Sequence, residues 1–202
     1  MAGCKDDMDQ EVKVVFEPKI FVDIILAALT CSVEVSGLAK VEKDGYLYTV
    51  YGEPIIFKQS CSLLRTTFDE TAYLLWQERM VIEGTHEEIQ KARLWWHSHV
   101  WARVGFSARD ENTLGIMTQD FDWLLAMVVN KKYQTYLELR TNKPLPLPGI
   151  IISEYGFTEK VSMQSLQKLM DERRASMEAI IRERVRVIDG PGDNSGGSVD
   201  DD

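Results

Sequence analysis

With 202 residues, 45% of them apolar and 27% charged, the chain has the size and composition of a globular domain with a substantial core. A net charge of −9 argues against nucleic acid as a partner, because phosphate binding needs a basic patch; much of the excess lies near the two ends, so it says little about an acidic or basic substrate. Three unevenly spaced cysteines, Cys4, Cys31 and Cys61, without a Cys-x-x-Cys pair, exclude a thiolate zinc knuckle and argue against a disulfide framework, which fits a reducing, cytoplasmic setting.

Residues 1–11 read as a flexible leader, polar and acidic, without the basic start and apolar core of a secretory signal. From Glu17 onward Ile20, Phe21, Ile24, Ile25, Ala28 and Leu29 recur at helical spacing behind Pro18, which predicts an amphipathic helix packed on a sheet. This apolar run is too short to span a bilayer and is interrupted by Asp23, so no membrane role is expected. Val33–Val41 and Tyr46–Tyr51 are strand-like runs around Lys43-Asp44-Gly45, a hairpin signal. Glu53–Leu64 is expected to extend the sheet, and Phe68–Ile82 to form a second amphipathic helix stopped by Gly84. Thr85-His86-Glu87-Glu88 matches a capping box opening a short helical turn, which makes His86 a solvated first-turn residue.

Ala92–Ser98 reads as a central strand, because Leu94-Trp95-Trp96 is apolar on both faces. Trp95 and Trp96 are expected in the core, and Trp101 in the following loop is the candidate for substrate contact. Asp122–Asn130 and Tyr133–Arg140 form a strand pair turning at Asn130-Lys131-Lys132. Lys143–Gly149, with Pro144, Pro146 and Pro148, reads as a stiff extended linker; a short apolar run, Ile150–Ile152, and a helix from Ser162 to about Val187 follow. Asp189–Asp202 is Gly/Ser/Asp low complexity, expected to be disordered.

The chemistry concentrates in residues 97–110, HSHVWARVGFSARD. Side chains alternate faces along a strand, so His97 and His99 point the same way, about 6.6 Å apart at the backbone. Asp110 follows a Gly-containing loop and opens a helical pattern, so its carboxylate can return to the same point. Two histidines and one carboxylate leave a fourth tetrahedral position for water, the arrangement of a catalytic rather than a structural zinc site. A His-x-His pair alone is usually structural, one histidine capping a strand end and the other solvated.

His-Ser-His followed by seven residues, Ser107, two residues and Asp110 resembles the motif of the JAMM (JAB1/MPN/Mov34) metalloproteases, and Glu34 in SVEVSGLAKV, with Gly37 after it, fits the upstream glutamate of that family at the end of its first strand. The similarity covers roughly residues 15–140. It implies an α/β fold of JAB/MPN (cytidine-deaminase-like) type: a mixed central sheet flanked by helices, with an added C-terminal helix. It also implies zinc on His97, His99 and Asp110, with Glu34 as general base and Ser107 helping to hold the oxyanion. One departure is Val100, where the family commonly has proline after the second histidine, which leaves the course of the Val100–Phe106 loop open.

The expected organisation is a leader over 1–11, a JAB/MPN catalytic domain over 12–141, the linker and C-terminal helix over 142–188, and the acidic tail over 189–202. The expected function is a zinc-dependent isopeptidase or peptidase cleaving after the C-terminal glycine of ubiquitin or a ubiquitin-like protein, in the manner of compact microbial or phage-type members. The metal is expected near a sheet edge, where a substrate tail adds as an extra strand. The alternatives are a non-catalytic or latent MPN-type scaffold and a broad metallopeptidase, for instance one processing phage assembly proteins. A zinc deaminase is rejected, since neither His-x-Glu nor Pro-Cys-x-x-Cys is present.

Overall fold

The computed structural model describes residues 11–62, 65–68, 70–119, 121–143 and 147–188. In chain order these form β1 (Lys13–Phe16), α1 (Pro18–Thr30), β2 (Ser36–Asp44), β3 (Leu47–Ile55), β4 (Gln59–Ser62), β5 (Arg65–Phe68), α2 (Glu70–Ile82), α3 (Glu87–Lys91), β6 (Leu94–His99), α4 (Ala108–Met117), β7 (Trp123–Asn130), β8 (Thr135–Thr141), β9 (Leu147–Ile151), β10 (Gly156–Phe157), α5 (Met163–Arg184) and β11 (Val185–Val187). The fold class is mixed α/β, as expected. An eight-stranded sheet runs β10-β1-β3-β2-β6-β7-β8-β9, and a three-stranded sheet runs β11-β4-β5. None of the described helices is long and apolar enough to cross a membrane.

The two-residue period of a strand divides the main sheet into two unlike faces. Leu94, Trp96, Leu125, Met127, Val129, Leu137 and Leu139 join one buried cluster with Ile20, Ile24 and Ala27 of α1 and Met170, Met177 and Ile181 of α5. Leu38, Trp95 and Ala126 point the other way, into a smaller cluster with Leu114 of α4, Phe57, and Tyr73 and Trp76 of α2. The apolar residues of β6 thus serve both faces, which is why this run reads as continuous. Cys31 and Cys61 are buried thiols, as expected of small apolar residues; Cys4 lies outside the described residues.

Several elements depart from the sequence reading. β4 leaves the main sheet instead of extending it, and Phe68 belongs to β5, so α2 starts at Glu70. Leu147–Ile151 of the expected linker and apolar run is a strand paired with β8. The capping box at Thr85 is absent: the Thr85 hydroxyl donates back to the Met80 carbonyl at 3.2 Å, and the N-cap is His86, without a side-chain cap. Gly84 does stop α2, at φ +70°, with Thr85 N–H reaching the Met80 carbonyl at 2.8 Å.

Buried in the α1–α5 interface is Asp23. Arg173 of α5 clasps its two oxygens at 2.8 and 2.9 Å, and Lys19 donates at 3.2 Å. The charge that interrupts the apolar run of α1 is therefore the anchor for α5.

Candidate metal centre

β6 sits in the sheet interior, antiparallel to β2 and parallel to β7. This overturns the expectation of a metal near a sheet edge, since both lateral sides of β6 are occupied. The candidate centre lies instead at the carboxyl end of β6, on the face opposite Trp96. His97 is 1% exposed and His99 partly so. Their Nε2 atoms stand 3.1 Å apart. Asp110, in the first turn of α4, completes a triangle: Oδ1 is 3.4 Å from His97 Nε2 and Oδ2 is 3.7 Å from His99 Nε2. This is the group among the described residues that can hold a metal ion.

The donor set was tested against such an ion on its own geometry. Zinc bonds of about 2.0–2.1 Å in a tetrahedron put neighbouring donors about 3.3 Å apart. The three observed separations bracket that value. Two imidazole nitrogens and a carboxylate converging on one point require a positive charge there, a proton or a metal cation. Arg103 O, at 2.8 Å from His99 Nδ1, can only accept, so Nδ1 carries a hydrogen and, in the neutral ring, Nε2 keeps its lone pair for a metal. His97 is oriented differently. Its Nδ1 has no hydrogen-bond partner among the described residues, and its ring is held by stacking on Trp95, centroids 4.6 Å apart.

The electrostatics pull the two rings in opposite directions. Burial pushes His97 down, towards the neutral ligand form. The Asp110 bond raises His99. At Asp110 burial acts upward, but hydrogen bonds from His97, His99 and Ser107 outweigh it and hold the carboxyl well below the usual range. Asp110 is thus ionised at neutral pH.

Ser107 has a role that sequence reasoning did not give it. It is the N-cap of α4: its Oγ accepts from Asp110 N at 3.3 Å, while its own N–H donates to Asp110 Oδ2 at 2.7 Å. The reciprocal pair fixes the Asp110 rotamer. The metal group and the helix cap share one carboxylate. Behind it, Arg140 of β8 donates to Glu111 at 2.9 Å and pairs with buried Glu138, fastening the first turn of α4 to the sheet.

Glu34 lies two residues before β2 rather than within a strand, and outside the three-ligand group. Its N–H donates to Ser62 O at 3.0 Å. The next residue is tied to the metal strand: Val35 N–H donates to Ser98 Oγ at 3.0 Å, and Ser98 N–H to Val35 O at 2.8 Å. Gln59 clasps Ser36 from the other side, taking its N–H and donating to its carbonyl, both at 2.9 Å. Burial pushes the Glu34 carboxyl up to about 7, against the attraction of His99. Ser98 and Gln59 were missed. The signal for Ser98 was available: in a strand covered on both faces, the hydroxyl between two ligands must be buried and needs a partner.

No protein-family model matches this chain, and no curated protein matches it in sequence. The arrangement of the residues themselves therefore carries the functional argument. Trp95 and Trp96 are buried as expected, whereas Trp101 is 63% exposed in the loop after β6.

Proposed function

We propose that this chain is a zinc-dependent isopeptidase or peptidase of JAMM type that hydrolyses the amide bond after the terminal glycine of a ubiquitin-like tail. The observation that carries the reading is the three-donor triangle of His97, His99 and Asp110, with a half-buried, weakly acidic Glu34 whose carboxyl feels the charges of His99 and Asp110. Zinc held by the three ligands supplies Lewis acidity, bringing water towards neutral pKa and polarising a carbonyl. Glu34 takes a proton from the attacking water and hands it to the leaving amine; a carboxyl pushed up to about 7 is suited to both halves of that transfer. The Ser107 oxygen already accepts from Asp110 N, which leaves the hydroxyl hydrogen for the developing oxyanion. A tail ending in glycine suits a centre recessed at a strand end, since it brings backbone close without a side chain.

The test is a panel of ubiquitin-like fusions treated with wild type and with Glu34→Gln, products read by intact mass, beside elemental analysis of the purified proteins. Expected are near-stoichiometric zinc in both, cleavage after the terminal glycine by wild type, and a loss of about 10²-fold or more in the variant. Zinc without cleavage of any fusion, or no zinc even after incubation, would return the chain to a non-catalytic scaffold. Cleavage at unrelated loops would make it a broad peptidase.

A further inference from the structure

Beside the carboxylates of the candidate centre, the loop after His99 and the β7–β8 turn carry basic side chains. Arg103, Lys131 and Lys132 make no ion pair among the described residues, in a chain of net charge −9. All three belong to one surface. The Arg103 carbonyl orients His99; Lys131 N–H donates to Val100 O at 3.3 Å; Asn130 Nδ2 donates to Ala102 O at 3.0 Å. The β7–β8 turn and the loop after His99 are thus bonded into a single rim beside the metal ligands. Trp101 stands exposed on it, with Lys131 Nζ 5.9 Å from its ring centroid.

The rim is held in an uncommon conformation. Tyr133 has φ +60°, the one non-glycine residue in the left-handed region among those described, and its side chain is 62% exposed. Asn130 Oδ1 accepts from Lys132 N–H at 2.9 Å and Gln134 N–H at 3.1 Å, which keeps the turn in this shape. A left-handed tyrosine costs free energy, and what the turn presents in return is Lys131, Lys132 and an exposed ring. Unneutralised cations attract the carboxylates of an extended peptide, and the exposed rings beside them offer apolar surface to its backbone. Duplex or single-stranded nucleic acid is the poorer fit for a chain this acidic.

We propose that the rim of Arg103, Lys131, Lys132, Trp101 and Tyr133 selects substrates with acidic side chains within a few residues of the scissile bond. This rests on the peptidase reading for its link to cleavage, but not for binding. Tails with basic residues before the glycine are then poor substrates.

Three labelled peptides sharing a central Gly-Gly, flanked by Asp, Ser or Lys residues, separate the two readings. Binding is followed by anisotropy and cleavage by mass, on wild type and on Arg103→Gln/Lys131→Gln/Lys132→Gln, with circular dichroism confirming that the variant is folded. The Asp peptide is expected to bind at least about tenfold more tightly than the Lys peptide. Added salt should shrink that preference, since exposed charges are screened beyond about 8 Å at physiological ionic strength. In the triple variant the ratio should collapse towards one, with the change in KM rather than kcat. Binding of the Asp peptide without cleavage upholds the rim and removes the peptidase. Cleavage or binding indifferent to charge, or a preference that survives the triple variant, overturns the rim. Capture by phosphatidylserine vesicles with no preference among peptides also overturns it, in favour of a lipid surface.

Discussion

The backbone N–H of Val35 donates to the side chain of Ser98 at 3.0 Å, so the residue after Glu34 is fastened to the residue between the two histidines of the candidate metal centre. The proposed base and two of the proposed ligands are thereby held in one frame by a hydroxyl that touches neither the metal group nor the substrate. Ser98→Ala leaves a buried N–H without its acceptor, at a cost of about 1–3 kcal/mol. Thermal unfolding should show this loss. Cleavage should fall while zinc content stays near that of wild type; a variant that loses zinc instead would mean that Ser98 acts through the histidines.

As the proposed base, Glu34 should set the acid side of the pH profile. A general base works deprotonated, and burial raises this one to about 7, so activity should fall as pH drops through the Glu34 pKa. A bound cation favours the carboxylate and moves that limb below 7. The residual activity of Glu34→Gln should lack the limb, as measured by kcat/KM across pH. A limb unchanged in the variant would assign it to another group.

Metal retention should weaken in the same direction for a different reason. Both imidazoles must be neutral to bind, so protons compete with the ion as pH falls below about 6. Dialysis across pH with elemental analysis measures the release. His97→Ala and Asp110→Ala should carry little zinc at any pH. Ser107→Ala should lose both helix stability, about 0.5–2 kcal/mol for a cap, and several-fold in zinc affinity, because the cap and the Asp110 rotamer are one structure. Ser107→Thr, which keeps the hydroxyl, should restore both.

At the back of the sheet, Arg173→Met removes the bidentate partner of an Asp23 side chain that has no solvent exposure. Breaking a buried pair from one side costs about 3–5 kcal/mol, and Lys19 at 3.2 Å should hold the loss near the lower end. Denaturant unfolding measures it. Arg173→Met with Asp23→Asn should recover part of the stability, which a simple packing defect at α5 would not allow.

Elements with long periodic runs were legible in the sequence. α1 shows its helical stripe, the β2–β3 hairpin its Asp44-Gly45 turn with Gly45 at φ +58°, and β6 its two apolar faces. The His97–His99–Asp110 group was legible for the same reason: its spacing rests on local geometry. What escaped was set by distant pairing. β1 has four residues and no period to speak of; it is a strand because β3 and β10 lie on either side of it. β11 joins the β4–β5 pair from over a hundred residues away, which no local pattern encodes. The interior position of β6 depends on β2 and β7 both choosing it. Asp23 looked like an interruption, because its partner lies on α5.

The seat of Glu34 has a consequence for how this protein matures. The carbonyl that receives the Glu34 N–H belongs to Ser62, at the end of β4, and β4 is bordered by β11 through Val185 with Gln59 and Val187 with Cys61. A chain emerging from its amino end presents His97, His99 and Asp110 well before Val187. At about 5–20 residues per second the interval is roughly 4–15 s. His97, His99 and Asp110 are therefore available to an ion before β11 can close the small sheet beside Glu34.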